Sequence, residues 1–538
     1  MTSHTDPTPE TEKIRTGEAL FSQGKMTEAI QCFENLLTTD PSNVEALNNL
    51  GVVAFQLDDI STAENIFTKS LQIHRRHMDS LINLAEICIA KGQTDHAENL
   101  LKKATGIKGA PSIALSRLNE IKFSSDTPND RSKENSRILT PKKILFINNL
   151  YPPQELGGYG RVIYDYANLI KKRGHSIHVL TSDTRYLGDP APHEANVDRS
   201  LMLFGDWSEG RMTTYSKERA QHVVDHNRIV INKVLQYFQP DLCLVGNIDL
   251  LSALVFSPIF DHGIPVLHRL GNEFVGYNKE ETPTKHLFYT ATASHWLKWD
   301  AISRGYPFHN AFVIHSGASV KEFAMAIPPA TDKLRIAFAG IVNAYKGPQV
   351  LLDALYILHQ RGLNFSCSIA GSTFDEPFVD HLKQGVKYLA MDHKLSFTGW
   401  LDREGLKDLY ARHNVLVFPS LVNETFGISQ VEAMAAGLLA ITSASGGAKE
   451  VVEDGVSGLF FKQGDPHHLA RILTELTKDR ERWERIALNG QKRAMEMFDI
   501  EKSVDELETA FARMLNDRDD RPKNEFHSAS PPLSSAPT

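Results

Sequence analysis

Short apolar runs alternate with segments of helical period over residues 141–515, in two successive series. The first series is ILFINN (144–149), IHVLTS (177–182), DLCLVGN (241–247), PVLHRLG (265–271) and AFVIHSG (311–317). The second is IAFAG (336–340), SCSIAG (366–371), LSFTGW (395–400), VLVFPS (415–420) and LAITSA (439–444). Short, largely apolar runs separated by helical segments indicate buried parallel strands in sheets covered by helices. The pattern predicts two doubly wound α/β domains, 141–330 and 331–515, with ligands in the cleft at the carboxyl ends of their strands.

The first hundred residues repeat with a step of 34. Residues that keep this step are Gly17, Gly51 and Ala85, then Ala29, Ala63 and Ala97, then Phe33, Phe67 and Leu101. The residues predicted at turns are Gly24, Asp58 and Gly92, and Pro41 is predicted to close the first unit. Small residues recurring at this period, where paired helices must approach closely, are typical of tetratricopeptide repeats (TPR). We therefore expect a stack of three TPR units over residues 11–106, with an unrelated helical bundle as the alternative.

Two segments are almost free of apolar residues. One, containing SSDTPNDRSKENSR, lies within residues 107–140 and is predicted to be a flexible linker. The other, residues 516–538, ends in SASPPLSSAPT and is predicted to be a disordered tail.

Composition narrows the class of protein. Apolar residues make up 41% of the chain and the net charge is −8, which argues for folded domains and against a nucleic-acid partner. The polar start MTSHTDPTPETEK lacks the apolar core of a secretory signal, and no apolar run is long enough to span a bilayer. The separated cysteines are predicted to be reduced core thiols; they are Cys32, Cys88, Cys243 and Cys367. A cytoplasmic location is the expectation.

Two loops that follow predicted strands could bind an anion. Gly157 and Gly158 come directly before a helical segment, where the backbone can approach a ligand at the helix N-terminus. Lys346 precedes a helix that begins near Pro348, which places its ammonium group well for neutralising a diphosphate. Taken one at a time, a tight turn and a solvated lysine remain the alternatives.

The strongest segment is FPSLVNETFGISQVEAMAAGLLAIT (418–442). Glu424 lies in the loop after a predicted strand, and Glu432 follows eight residues later on the next helix. At 100° per residue, Glu432 falls about 40° from Ile428, at the edge of the apolar stripe of that helix. A carboxylate in this position is partly desolvated and needs hydrogen-bond donors, which sugar hydroxyls could supply. Two ordinary surface carboxylates are the alternative.

The order of the motifs resembles that of the family-4 retaining glycosyltransferases, which have the GT-B fold. The resemblance runs from about Lys142 to Phe498. It includes KRGH (172–175), Ser294, Lys346-Gly347, PSL (419–421), ETFG followed by EAMAAG, and GGAKEVVEDGVSG (446–458). It implies two facing Rossmann-like domains behind the TPR stack. The first, 141–330, would be the acceptor side, and the second, 331–515, would bind the nucleotide-sugar donor, with the last helical stretch, about 480–515, packed back across both.

The same resemblance implies roles for individual residues. Glu424 would act at the anomeric carbon as the catalytic residue. The donor-binding residues would be Gly157, Gly158, Lys346, Thr425, Phe426, Gly427 and Glu432, with Glu432 on the ribose hydroxyls. Transfer would retain anomeric configuration by a front-face reaction. No Asp-x-Asp motif follows a strand, so we expect no metal and no cofactor beyond the nucleotide-diphosphate sugar itself.

Two positions depart from the family pattern. Ile341 stands where the family usually has arginine, and Arg161 is the candidate to replace that cation. Gly271 stands where the family often has histidine, and His268 lies three residues too early, so it is predicted to be a packed strand histidine.

The leading hypothesis is a hexosyltransferase of bacterial-type surface polysaccharide or glycoconjugate synthesis. Its acceptor would be a glycan, a lipid-linked molecule or a protein, its TPR groove would bind a protein or peptide, and peripheral membrane contact is left open. The alternative is a TPR adaptor whose GT-B domain has lost activity along with the residues expected at Ile341 and Gly271. A GT-B sugar epimerase is a weaker third alternative.

Overall fold

The computed structural model describes residues 9–22, 25–57, 59–90, 93–107, 140–155, 157–190, 195–208, 211–326 and 328–519. The chain divides into two compact units, Met1–Arg137 and Ile138–Thr538. Most of the predicted linker, residues 108–139, lies outside the described residues. None of the described helices is both long and apolar enough to cross a membrane.

The described part of the first unit consists of paired helices. They are α1 (Pro9–Ser22), α2 (Met26–Thr39), α3 (Val44–Gln56), α4 (Ile60–Ile73), α5 (Met78–Ala90) and α6 (Thr94–Thr105). A Cβ placed on Gly17 would lie 2.5 Å from the Phe33 ring, and one on Gly51 would lie 2.6 Å from the Phe67 ring. This close approach is the physical reason for the 34-residue step, and the predicted TPR stack is confirmed. The turn residues Gly24, Asp58 and Gly92 lie outside the described residues.

A seven-stranded parallel sheet forms the centre of the first α/β domain, in the order β3-β2-β1-β6-β7-β8-β9. Its strands are β1 (Lys143–Ile147), β2 (Ser176–Ser182), β3 (Val197–Leu201), β6 (Leu242–Val245), β7 (Val266–Leu270), β8 (Phe288–Thr292) and β9 (Phe312–Val313). A separate hairpin pairs β4 (Gly205–Ser208) with β5 (Arg211–Thr214). The helices are α7 (Tyr159–Lys172), α8 (Lys217–Phe238), α9 (Phe256–Asp261) and α10 (His295–Ser303). The next helix, α11 (Val320–Phe323), packs in the core of the second α/β domain.

A six-stranded parallel sheet forms the second α/β domain, in the order β12-β11-β10-β13-β14-β15. Its strands are β10 (Leu334–Ala339), β11 (Phe365–Ala370), β12 (Leu395–Gly399), β13 (Val415–Phe418), β14 (Leu439–Thr442) and β15 (Leu459–Phe460). The helices are α12 (Pro348–Gln360), α13 (Glu376–Tyr388), α14 (Arg403–Arg412), α15 (Ile428–Ala435), α16 (Ala448–Val451) and α17 (Pro466–Leu476). The strand order reverses between β10 and β13, as it does between β1 and β6, and ligands of open α/β sheets bind at such switch points.

The last two helices connect the two α/β domains. Helix α18 (Arg480–Met497) packs on α15 of the second domain, and α19 (Ile500–Asp519) packs on α7 of the first. Between them, the Ala318 amide donates to the Phe498 carbonyl and the Ile500 amide donates to the Ala318 carbonyl, both at 2.9 Å. Helix α19 continues through Asp519, so the tail predicted from residue 516 begins too early by four residues. The rest of that segment lies outside the described residues.

Candidate active site

The glycine loop lies at the N-terminus of α7, against the second domain. Gly157 has φ +70°, a conformation that glycine adopts without a steric penalty. A Cβ on Gly158 would lie 3.1 Å from the Ile428 side chain, and one on Gly157 would lie 3.7 Å from that of Ile341. Both glycines are exposed, so their backbone is open to a ligand from the cleft.

Lys346 and Glu424, 78 residues apart, form an ion pair at the carboxyl ends of β10 and β13. The Lys346 Nζ lies 2.7 Å from Glu424 Oε1 and 2.9 Å from Oε2. Gly347 makes the turn that aims the lysine, because it has φ +72° and a Cβ there would lie 2.0 Å from the Pro419 carbonyl oxygen. The structure therefore joins a predicted diphosphate cation to the predicted catalytic carboxylate.

The loop from Glu424 to Gly427 is held mainly through its backbone. The Gly447 amide donates to the Glu424 carbonyl at 2.6 Å. The Thr425 hydroxyl donates across the cleft to the Gly271 carbonyl at 2.8 Å. Gly427 has φ +103° and begins α15, which points the free amides of that helix N-terminus toward the cleft.

The Phe426 side chain belongs to the core. It is 2% exposed, and its ring centroid lies 5.7 Å from that of His315 and 5.5 Å from that of Phe498. Only the backbone of Phe426 is left for a ligand.

Glu432 is partly buried on α15. The Tyr410 hydroxyl donates to its Oε2 at 3.5 Å. Burial raises the pKa of Glu432 to about 7, and the nearby Arg403 guanidinium opposes this rise. The carboxyl group is therefore short of strong donors, which is the environment predicted from its place at the edge of the apolar stripe.

Arg403 is a cation of the cleft that sequence reasoning missed. Its guanidinium lies 3.3 Å from Asp165 on α7 and 3.0 Å from Glu322. Arg161, the predicted substitute for the missing arginine, pairs instead with Glu155 at 3.2 Å. The DR pair at 402–403, directly after a strand and at a helix start, was the available signal for Arg403.

The second departure, Gly271, is explained by Tyr159. A Cβ on Gly271 would lie 1.6 Å from the Tyr159 ring, so no side chain fits there while Tyr159 keeps its place. Tyr159 is held by a 2.7 Å hydrogen bond from its hydroxyl to the Arg269 carbonyl. His268 is buried, contacts the Tyr277 hydroxyl at 3.0 Å, and has a pKa lowered by burial to about 3. It is a packed, neutral histidine, as predicted.

Two motifs of the resemblance hold the domains together. In GGAKEVVEDGVSG, the Glu450 carboxylate accepts the amides of His295 (3.0 Å) and Trp296 (2.7 Å) at the start of α10, and lies 3.1 Å from His315 Nε2. Ser294 caps the same helix by accepting the Leu297 amide. His295, His315 and Glu450 are close enough to share a cation, but both Glu450 oxygens already accept N–H groups.

The KRGH motif holds the crossover helix. Arg173 contacts three carboxylates of α19, those of Glu501 (2.7 Å), Asp505 (2.7 Å) and Glu508 (2.6 Å). His175 Nε2 lies 3.0 Å from Glu508.

Comparison with known protein families agrees with this architecture. Residues 320–493 match the family model of glycosyl transferases group 1. Residues 17–58 match a TPR repeat model, and residues 54–114 match a second tetratricopeptide repeat model.

Similar curated proteins cover part of the chain. A glycosyltransferase of Methanocaldococcus jannaschii, described as uncharacterized, is 32% identical over 33% of this chain and 44% of its own length. D-inositol 3-phosphate glycosyltransferase of Corynebacterium urealyticum is 29% identical over 33% of this chain and 46% of its own length. The chain thus spans less than half the length of these curated relatives.

Solved structures match more than two thirds of the chain. HepE of Anabaena, in complex with UDP and glucose, has a TM-score of 0.54 at 19% identity and covers 69% of this chain and 100% of its own. Sucrose-phosphate synthase from Thermosynechococcus elongatus has a TM-score of 0.56 at 16% identity and covers 70% of this chain and 100% of its own. The fold is that of a GT-B type α/β protein preceded by TPR repeats. Residues 320–493, which include most of its second α/β domain, are similar to the glycosyl transferases group 1.

Proposed function

We propose that this protein is a retaining glycosyltransferase that moves a hexosyl-type sugar from a nucleotide-diphosphate sugar to an acceptor. The observation that carries the proposal is the Lys346–Glu424 pair, which lies at the switch point of the donor-side sheet and within the matched group 1 domain. The names of the relatives support the reaction class. HepE, solved in complex with UDP-glucose, supports a nucleotide sugar as donor.

Each site residue then has a role. The Lys346 ammonium and the amides of Gly157 and Gly158 hold the diphosphate, aided by the positive end of the α7 dipole. The backbone amides of Thr425, Phe426 and Gly427 bind the sugar hydroxyls or the phosphate. The Thr425 hydroxyl takes no part, because it is already bonded to the Gly271 carbonyl. Glu432 accepts the ribose hydroxyls, which supply the donors that its carboxylate lacks.

The proposed transfer needs no nucleophile from the protein. The acceptor oxygen bonds to the anomeric carbon on the face from which the diphosphate leaves. The bond from that carbon to the diphosphate oxygen breaks, and the departing diphosphate takes the acceptor proton. As Lys346 turns to the diphosphate, the Glu424 carboxylate is released to stabilise the positive charge that develops at the anomeric carbon.

The proposal includes neither a metal nor a cofactor beyond the donor. Charge neutralisation falls to Lys346 and the helix N-termini. We further propose that the enzyme is cytoplasmic and acts in bacterial-type surface polysaccharide or glycoconjugate synthesis. Its acceptor is a glycan, a lipid-linked molecule or a protein, reached with peripheral membrane contact. Its TPR units bind a protein or peptide.

A screen of UDP-, GDP- and ADP-sugars for donor hydrolysis, with and without EDTA, tests this function. We expect one donor to be hydrolysed at a rate that EDTA leaves unchanged. Loss of activity with EDTA and recovery with Mg²⁺ or Mn²⁺ would overturn the metal-independent mechanism.

Two observations favour the adaptor as a second candidate. Ile341 approaches the glycine loop where the family has a cation, and Tyr159 fills the space of the family histidine. Failure of the chain to bind or hydrolyse any donor in the screen would favour that function.

A further inference from the structure

A carboxyl–amide pair lies on the acceptor side of the cleft, outside the residues assigned above. Asp249 follows β6 and Asn272 follows β7, two neighbouring strands whose carboxyl ends meet at the same edge of the sheet. The Asn272 Nδ2 donates to Asp249 Oδ2 at 2.9 Å. Asn149, which follows β1, donates its Nδ2 to the Asp249 carbonyl at 3.2 Å and supports the loop from below.

The second oxygen of each side chain is left without a partner. Asp249 Oδ1 and Asn272 Oδ1 are covered, and neither has a hydrogen-bond partner among the described residues. Both atoms are acceptors, so they cannot satisfy each other unless a donor comes between them. Leaving them unpaired costs free energy, and an O–H group of a ligand could relieve that cost at one of the two oxygens. Both residues keep part of their surface exposed.

The loop that carries Asp249 is strained. Leu250 has φ +60° and Ser252 has φ +62°, values that non-glycine residues rarely adopt. Strain of this kind persists where the surrounding structure holds it, and it concentrates at functional sites.

The pair faces the loop that carries Glu424. Gly271, next to Asn272, accepts the hydrogen bond from Thr425, next to Glu424. Burial raises the pKa of the following residue, Glu273, and the charge of Glu424 adds to that rise across the cleft. Asp249 and Asn272 are therefore on the side of the cleft opposite the proposed donor sugar.

We infer that Asp249 and Asn272 form the binding site for a hydroxyl group of a sugar or polyol acceptor, an inference that rests on the proposed function. The hydroxyl donates its hydrogen to Asp249 Oδ1. Asn272 holds the Asp249 carboxylate in position through the hydrogen bond that its Nδ2 donates to Oδ2. Burial raises the pKa of Asp249 to about 6, so at neutral pH the group is mainly a carboxylate and acts as an acceptor. Water occupies the same place when it serves as acceptor in donor hydrolysis.

Asp249→Asn separates this function from a structural role. An asparagine there keeps the shape of the aspartate, and its oxygen can still accept from Asn272 Nδ2, so the hydrogen bond of the pair is kept. We expect an unchanged or raised Tm together with a loss of about ten- to a hundredfold in the hydrolysis rate of UDP-glucose, or of the screened donor that the wild type hydrolyses. Asp261→Asn, an exposed aspartate at the end of α9, should leave both quantities unchanged.

Binding measurements distinguish the source of the hydroxyl. Affinities of Asp249→Asn for UDP and for UDP-glucose should both match those of the wild type. A selective loss of UDP-glucose affinity would assign the pair to the donor sugar and overturn the acceptor site. A wild-type hydrolysis rate in Asp249→Asn would also overturn the acceptor site. Asn272→Ala provides a second variant, expected to lower hydrolysis as well. A wild type that neither binds nor hydrolyses any donor would overturn the proposed function itself, and the acceptor site with it.

Discussion

Lys346 and Glu424 neutralise each other in the free protein, at 2.7 Å, so the donor diphosphate must compete with a carboxylate for its cation. Glu424→Gln keeps the shape and removes that competitor. Because the interaction of Glu424 strengthens as charge develops at the anomeric carbon, we expect kcat to fall at least about a hundredfold, while nucleotide affinity is kept or raised because the competing carboxylate is gone. Steady-state kinetics and calorimetric titration with the nucleotide measure the two effects.

The matched control for Glu424 is Glu404→Gln, an exposed carboxylate of the same domain. It should alter neither kcat nor affinity. A near-normal kcat in Glu424→Gln would remove the catalytic role of this residue.

Glu432 should act on affinity rather than on the chemical step. The ribose does not change during transfer, so loss of the carboxylate weakens the ground state and the transition state alike. A charge-assisted hydrogen bond is worth about 1.5–3 kcal/mol, so Glu432→Gln should weaken donor binding by roughly ten- to a hundredfold and leave kcat nearly unchanged. A variant with normal KM and reduced kcat would contradict this role.

Glu432 should also make stability depend on pH. Burial raises its pKa from 4.5 to about 7 in the folded protein. The unfolded chain binds fewer protons between these values, so the stabilising effect of the protonated group is present below pH 4.5 and is lost as pH rises through 7. The free energy of unfolding of Glu432→Gln, relative to wild type, should rise by up to about 3 kcal/mol between pH 4.5 and pH 8.

Urea titrations of both proteins at several pH values measure this difference. All other titrating groups are shared by the two proteins, so their contributions cancel. A difference that is constant with pH would show that Glu432 titrates near its ordinary value.

At the scale of elements, helix α19 is held on α7 through Arg173 and three carboxylates. Arg173→Met keeps the aliphatic stem but leaves the partly buried Glu508 without its guanidinium. We expect a loss of roughly 1–2 kcal/mol in the free energy of unfolding, more than an exposed ion pair contributes. Arg412→Met, which removes an exposed pair with Asp408, is the control and should cost less than about 0.5 kcal/mol.

Limited proteolysis locates the effect of Arg173→Met. Cleavage within α19 should become faster, because the helix leaves its docking surface more often. Unchanged cleavage and unfolding would mean that apolar contacts alone hold this helix.

At the scale of the whole molecule, the chain forms two compact units, and the site residues all lie in the second. A fragment of residues 141–538 should therefore fold and keep the nucleotide affinity of the full chain, measured by calorimetry. A folded fragment that has lost this affinity would show that the TPR units contribute to the donor site.

Much of the fold could be predicted from sequence because its signals are local. The short apolar runs predicted ten strands of the two sheets, each to within a few residues. The strands β3 and β8 were missed because VDRSL and FYTAT mix polar and apolar residues, and the short strand β15 was missed as well. Their strand conformation comes from pairing with a neighbouring strand, which periodicity does not report.

The sequence alone determined the order of elements, the TPR step and the place of each candidate residue at a strand or helix end. These follow from side-chain periodicity and turn chemistry within a few residues. Tertiary structure alone decided that Lys346 would pair with Glu424, that Arg403 would enter the cleft, and that Tyr159 would fill the space above Gly271. The physical reason is that these contacts join residues tens to hundreds of positions apart, and only the packing of both sheets brings them within reach of each other.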